Sequence, residues 1–458
     1  MKIIILGAGQ VGTSLAKNLQ EDHDVSLVDV DIDKLHHLQN KFDIKTVCGS
    51  GSHPHILDEA GAMDADMLIA VTNNDEVNIV ACQIAYSLYK TPMKIARLRN
   101  KNFGRYPQLF DNDHIPIDFI INPADLVTHR MVRLIENPGS FQVLDFANSQ
   151  IQMVEAAVSI DSTLNGLSVK EFRQDLPSNI DARIVGIFRN NGLIEFGANT
   201  VLRSFDTVFF VSEVGHTQKI LALFQPKQSK IKRIFVAGGG NIGMHFAKQL
   251  ESRYSTKLVE RDSKRCYKAA EYLNDTIVLS GDAADAELLQ NENIEDADIF
   301  CAVTNDDEAN IMSAMLAKRL GAKSTIALVN HMSYAELIDD GRSIDRALSP
   351  QRITIGVILT HLRKGDMVKV YSLLGGTCEA IEVVAHGDKE TSPVVGKTIR
   401  ELNFPASVRC GAIARENKVL MAHDDTVIEV NDHLIIFIGS SNDIPTVEKK
   451  FQVAPVFL

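Results

Sequence analysis

Short apolar runs alternate with longer amphipathic stretches along this chain, and the alternation is written twice. Ile3–Leu6 leads into glycines and then a helical pattern at LAKNLQ. Val25–Val28, Val47, Met67–Val71 and Ile95–Leu98 supply further strand positions, with a helical stretch over Val77–Leu88. Uniformly apolar runs of this length, separated by helical patterns, predict a parallel sheet covered by helices. Ile234–Ala237, Leu258–Val259, Ile277–Leu279, Ile299–Val303 and Ile326–Val329 repeat the order. After each such region come turn-rich segments of alternating polar and apolar residues, with strand cores expected at Thr207–Val211 and His433–Ile438.

The repetition extends to motifs. IIILGAGQVG at Ile3–Gly12 is matched by IFVAGGGNIG at Ile234–Gly243, and AVTNNDEVNI at Ala70–Ile79 by AVTNDDEANI at Ala302–Ile311. Gly7 and Gly238 stand 231 residues apart, as do Asp29 and Glu260; the later blocks stand 232 apart. Arg189, Thr200 and Asp206 correspond to Arg415, Thr426 and Asp432 at an offset of 226. Duplication of one module explains these ordered blocks. The division expected is a large domain at 1–123, a connector helix at 124–139, a small domain at 140–228, a second large domain at 232–350, a second connector at 351–366 and a second small domain at 367–453. Leu126, Val127, Met131, Leu134 and Ile135 form an apolar stripe on the first connector, and Ile353, Val357, Ile358 and Leu362 on the second. Both stripes suit core packing and are candidate dimer elements.

A glycine-rich turn between a strand and a helix, followed by a strand ending in an acid, is the context of a dinucleotide fingerprint. The fold class expected is α/β, with two Rossmann-like parallel-sheet domains, each followed by a small α+β domain. Gly7 allows the tight turn, Gly9 lets the backbone approach a pyrophosphate, and Gly12 keeps helix and strand close. Ala8, Gln10 and Val11 lie between them at the helix start, where free N–H groups form an anion site. Gly238, Gly240 and Gly243, with Gly239, Asn241 and Ile242, can play the same parts. Asp29 and Glu260 are placed to accept ribose hydroxyls. Their charge favours NAD over NADP, while ATP and ADP stay open because they carry the same ribose and phosphates. Thr72 and Asn73, and Thr304 in the repeat, follow an apolar strand on the crevice side; capping is sufficient explanation for Asp75 and Glu76. Arg97 and Arg99 in KIARLRN suit phosphate contact or a surface ion pair, and TIALVN lacks them. This asymmetry predicts different ligand preference in the two clefts.

The remaining chemistry is largely exclusion. A net charge of −12 argues against a nucleic-acid partner. No run approaches the roughly 18–20 apolar residues of a membrane span, and the N-terminal run is too short for a signal peptide. None of the six cysteines stands in CxxC spacing, and His53 and His55 read as loop or packing residues rather than metal ligands. No acid–base set stands in a recognisable substrate domain, which disfavours the rival reading of a soluble NAD-dependent oxidoreductase.

GAGQVG with Asp29, AVTNNDEVN, GGGNIG with Glu260 and AVTNDDEAN, in this order with the appended small domains, resemble the bacterial Trk system potassium uptake protein A family across nearly all 458 residues. Its members are regulatory chains of two tandem potassium-conductance-regulating (RCK) modules. The resemblance implies a non-enzymatic cytoplasmic subunit, peripherally attached to the cytoplasmic face of the inner membrane, that gates a membrane-embedded potassium-translocating subunit. It also implies a homotetramer and NAD(H) and adenine-nucleotide binding; no catalytic or metal-ligating residues are assigned. By this resemblance Gly7, Gly9, Gly12, Asp29, Thr72 and Arg99 map onto the first cleft, and Gly238, Gly240, Gly243, Glu260 and Thr304 onto the second, with Val329 set against Arg99.

Overall fold

The computed structural model describes residues 1–100, 102–190, 192–226, 230–331, 334, 343–361, 367–374, 377–416 and 418–451. Leu362 and the end of the expected second connector lie outside them. The described residues form two parallel and two antiparallel sheets. The first parallel sheet contains β1 (Lys2–Leu6), β2 (Asp24–Asp29), β3 (Lys45–Cys48), β4 (Met67–Ala70), β5 (Met93–Arg97) and β6 (Phe119–Ile121) in the order β3-β2-β1-β4-β5-β6. The order reverses beside β1, which opens a crevice at the carboxyl ends of the strands. Apolar residues on both faces of β1 and β4 explain their central places: Ile3 and Ile5 pack under one helical layer, Ile4 and Leu6 under the other.

The first small domain holds β7 (Ser140–Phe146), β8 (Ile151–Ala157), β9 (Ala182–Arg189), β10 (Gly192–Leu193) and β11 (Thr207–Glu213), antiparallel in the order β10-β9-β11-β8-β7. The second half repeats both topologies. β12 (Arg233–Ala237), β13 (Ser255–Glu260), β14 (Ile277–Ser280), β15 (Ile299–Ala302), β16 (Ser324–Leu328) and β17 (Arg346–Leu348) run β14-β13-β12-β15-β16-β17. β18 (Met367–Leu373), β19 (Cys378–Val384), β20 (Val408–Arg415), β21 (Lys418–Met421) and β22 (His433–Ile438) run β18-β19-β22-β20-β21.

The two large domains differ by one extra residue in the helical segment after β4. The α-helix Asp75–Ile84 continues into a π-turn at Ala85–Tyr89, whereas its counterpart Asp307–Arg319 is regular. A π-turn takes up an inserted residue without ending the helix.

The connector helices bear out core packing and show which core each one enters. Pro123–Glu136, capped by the Asn122 side chain, packs on Asn241–Leu250 of the second large domain. Val127, Met131, Val132 and Ile135 enter that domain's core with Phe246 and Leu250. Pro350–Thr360 packs on Gln10–Leu19 and places Ile355 and Ile358 in the first domain's core with Leu15 and Leu19. The apolar stripes therefore serve core packing, and they cross between the two halves of the chain. At about 1.5–3 kcal/mol for each fully buried apolar side chain, the exchange is a substantial tie between them.

The small sheets pack face to face through Phe209, Val211, Ala412 and Phe437. Close approach depends on two glycines. A Cβ on Gly186 would lie 2.8 Å from the Phe437 ring, and one on Gly411 would lie 2.6 Å from Val211. The 226-residue correspondence also gains a physical meaning. Arg189 donates twice to buried Asp206 at 2.7 Å each, and Arg415 twice to buried Asp432 at 2.8 Å each. Both acids also accept a main-chain N–H from their own turns, at Arg203 and Glu429.

Candidate nucleotide clefts at the two glycine turns

The three glycines of each turn do separate work. Gly7 and Gly238 adopt φ of 103° and 112°, a region side chains rarely tolerate. A Cβ on Gly12 would lie 1.9 Å from the Gly7 carbonyl oxygen, and one on Gly243 would lie 1.8 Å from that of Gly238. At Gly9 and Gly240 nothing lies within 4 Å of an added Cβ. These middle glycines face open space, and they are the N-caps of Gln10–Leu19 and Asn241–Leu250, with no side chain capping either helix. The first-turn residues Gln10, Val11, Asn241 and Ile242 thus stand at two uncapped N-termini, where backbone donors and the helix dipole favour an anion.

The strand-end acids brace the turns. Asp29 accepts the Ala8 N–H at 2.6 Å and the Asp31 N–H at 3.0 Å. Glu260 accepts from Gly239 at 2.7 Å and Asp262 at 2.9 Å. The Ala8 and Gly239 amides are therefore already engaged. Each carboxylate oxygen keeps a second lone pair for a ribose hydroxyl.

Thr72 and Thr304 sit in matching buttressed turns. Thr72 donates through its N–H and hydroxyl to Asn78 Oδ1 at 3.1 and 2.7 Å, and Thr304 to Asn310 at 2.8 and 2.7 Å. The amides of Asn78 and Asn310 return hydrogen bonds to the threonine carbonyls and reach the ends of β5 and β16. Sequence reading missed both asparagines, although each lies in the repeated block at a buried helical position. Asn73 is exposed beside the first turn. Asn74 and Asp306 cap the following helices. Asp75 instead accepts the Arg99 and Asn100 amides, as Asp307 accepts those of Asn330 and His331. The counterpart of Arg99 is therefore Asn330. Val329 corresponds to Leu98, since their amides donate to Leu348 and Ile121 of the last strand in each sheet. The sequence pairing slipped because the extra residue of the π-turn was not visible to it.

A cavity of about 770 Å³ lies over the second glycine turn. Its walls include Gly238 to Ile242, Glu260, Thr304 and Asn305, and on the other side Gln10, Arg97, Arg99 and Asn122 of the first large domain. Arg99, assigned by resemblance to the first cleft, lines this second one. Arg97 is anchored by a 2.6 Å bond to the Thr72 carbonyl, and burial, with Arg99 beside it, brings its pKa down to about 10. His53 and His55 stack at 5.7 Å. Among the described residues no cluster of His, Cys, Asp or Glu could hold a metal, and no helix is long and apolar enough to cross a membrane.

Two dinucleotide-fold domains, each followed by a small antiparallel domain and joined by crossing helices, define a tandem RCK-type architecture. The TrkA-N domain family matches residues 3–123 and 234–350, and the TrkA-C domain family matches 153–225 and 388–452. The chain is 46% identical to the Trk system potassium uptake protein TrkA of Halomonas elongata over 458 residues, covering all of both chains. It is 46% identical to that of Vibrio alginolyticus and 45% to that of Haemophilus influenzae, each over 460 aligned residues covering both chains in full. The GsuK RCK domain superposes with a TM-score of 0.62 at 20% identity, over 98% of this chain and 94% of that one. The GsuK channel bound to NAD gives 0.62 at 20% identity, over 98% and 78%. The chain belongs to the TrkA family of Trk system potassium uptake proteins.

Proposed function

We propose that this chain is the nucleotide-binding regulatory subunit of a Trk-type potassium uptake system, acting from the cytoplasmic face of the membrane as a homotetramer on a membrane-embedded translocating subunit. The observation that carries this reading is the pair of uncapped helix N-termini at open glycines, each braced by a strand-end acid, in a chain whose connector helices cross. NAD(H) meets the donors and acceptors present, and ATP and ADP offer the same adenosine and phosphates. Gly7, Gly9, Gly12, Asp29 and Thr72 hold the first ligand; Gly238, Gly240, Gly243, Glu260 and Thr304 hold the second, with Arg99 reaching it from the opposite domain. A ligand over the second turn touches both large domains, so its binding favours one arrangement of the two. Regulation follows when that arrangement and another differ in nucleotide affinity. The chain performs no chemistry on the nucleotide in this reading.

The test is potassium flux in a complex reconstituted with its translocating subunit, using Asp29→Ala, Glu260→Ala and the double variant, with folding and association checked. Each single variant is expected to change the nucleotide dependence of flux, and the double variant to abolish it. Unchanged nucleotide affinity and flux control in all three would reject the reading. Substrate-dependent hydride transfer by the purified chain would favour an oxidoreductase instead.

A further inference from the structure

The clefts differ on their ribose sides. β2 pairs with β3 in the register in which β13 pairs with β14, which sets Asp29 opposite Cys48 and Glu260 opposite Ser280. Beyond those acids, Val30, Lys34 and His37 of the first cleft stand where the second has Arg261, Arg265 and Lys268. Val30 is exposed and uncharged, and the Lys34 ammonium is ion-paired with Asp31 at 2.9 Å. Arg261, Arg265 and Lys268 all line the cavity over the second glycine turn. None of their charged groups has an ion-pair or hydrogen-bond partner among the described residues. Arg261 precedes the N-cap Asp262, while Arg265 and Lys268 share one face of Ser263–Tyr272.

Two carboxylates line this end of the cavity: Asp282, which follows β14 where the first cleft has Ser50 and whose Oδ1 accepts the Ala284 N–H, and Glu260. Both Glu260 oxygens accept main-chain N–H groups, and the side chain lies folded against Gly239, with its Cγ 3.1 Å from where a Cβ would sit. Three cations without an ion-pair partner among the described residues therefore meet two acids, each already accepting from the main chain. In a dinucleotide fold this end of the cleft receives the adenosine ribose, and arginine there accommodates a 2′-phosphate. A guanidinium fork matches two phosphate oxygens at once.

We propose that the second cleft takes a dinucleotide phosphorylated on the adenosine ribose 2′ oxygen, NADP(H), whereas the first takes the unphosphorylated NAD(H). The proposal rests on the reading of both turns as nucleotide sites, and it reverses for the second cleft the preference that the acid alone suggests.

Calorimetric titration of the full chain with NADH and NADPH tests it. Gly9→Asp and Gly240→Asp place a charge in open space at one turn, disabling one cleft while leaving the backbone unstrained; circular dichroism checks the fold. In the Gly9→Asp chain NADPH is expected to bind about tenfold more tightly than NADH, as charge-assisted phosphate contacts imply. In the Gly240→Asp chain the order reverses. Adding Arg261→Ala and Arg265→Ala to the Gly9→Asp chain removes the NADPH advantage and leaves NADH affinity unchanged. NADH binding as tightly as NADPH in the Gly9→Asp chain overturns the proposal. Equal loss of both ligands in the arginine variant also overturns it, because the arginines then act on the shared adenosine. Failure of both ligands to bind the wild-type chain would defeat the nucleotide-site reading itself.

Discussion

The two large domains keep the same backbone devices but solve the same electrostatic problem from different positions. In the first, Lys94 on β5 is buried and pairs with Asp118 at 2.8 Å, its ammonium 5.4 Å from the Tyr86 ring. In the second, Thr325 occupies that strand position, and Lys318 reaches Asp345 at 2.6 Å from the preceding helix. Both acids also hold a main-chain N–H of the strand, from Lys94 and Thr325. A strand start needs a carboxylate, and the carboxylate needs a cation, but the cation's origin is free. The glycines have no such freedom, because the backbone itself dictates φ and the space for Cβ. Difference between the domains therefore accumulates in side-chain charge, including the charge that lines the clefts.

Substitutions can break this comparison at several strengths. The largest effect is expected at the third glycines. Gly12→Ala and Gly243→Ala force Cβ onto a carbonyl oxygen and should each cost about 3 kcal/mol, whereas Gly9→Ala and Gly240→Ala should stay within about 0.5 kcal/mol. Urea denaturation of the four variants checks the contrast. Next, Lys94→Met should cost about 2–3 kcal/mol, below the full value for a buried pair because Asp118 reaches water, while Lys318→Met should cost about 1 kcal/mol. Equal losses would show that burial does not separate the two pairs. Asn78→Ala and Asn310→Ala should cost about 2 kcal/mol each and by similar amounts, since each strands the same buried donors and acceptors.

The smallest effect is in pH. His361 ends the described part of the second connector against the Phe119 ring at 4.0 Å, and burial alone holds its pKa below the usual value. As pH falls below about 6.5, the unfolded chain takes up the proton before the folded one does. This contribution to stability is therefore intact above that pH and declines below it. His361→Phe should flatten the fall in urea midpoint between roughly pH 7 and pH 5.5; an unchanged profile would place the acid sensitivity elsewhere.

Much of the fold was legible because its strongest constraints are local. Gly7, Gly12 and their repeats announce a strand–turn–helix, and the paired Arg189–Asp206 and Arg415–Asp432 spacings mark the same turn in both small domains. What periodicity did not carry is the choice of partner. The stripe at Val127, Met131 and Ile135 declares a buried face but not that the other half of the chain covers it. Asn78 and Asn310 looked like ordinary helix residues, because their work is to join two strand ends distant in sequence. The Val329 misalignment came from a residue absorbed inside a helix, where no loop signal betrays it. Arg99 was read with its own domain, whereas it lines a cavity completed by the other.

The central claim is that each half of the chain carries its own nucleotide site. Counting NADH bound per chain at saturation tests it most directly, in wild type, Gly9→Asp, Gly240→Asp and the double variant. The expected counts are two, one, one and none. A double variant that still binds NADH at the wild-type count, with its fold intact, would contradict the claim.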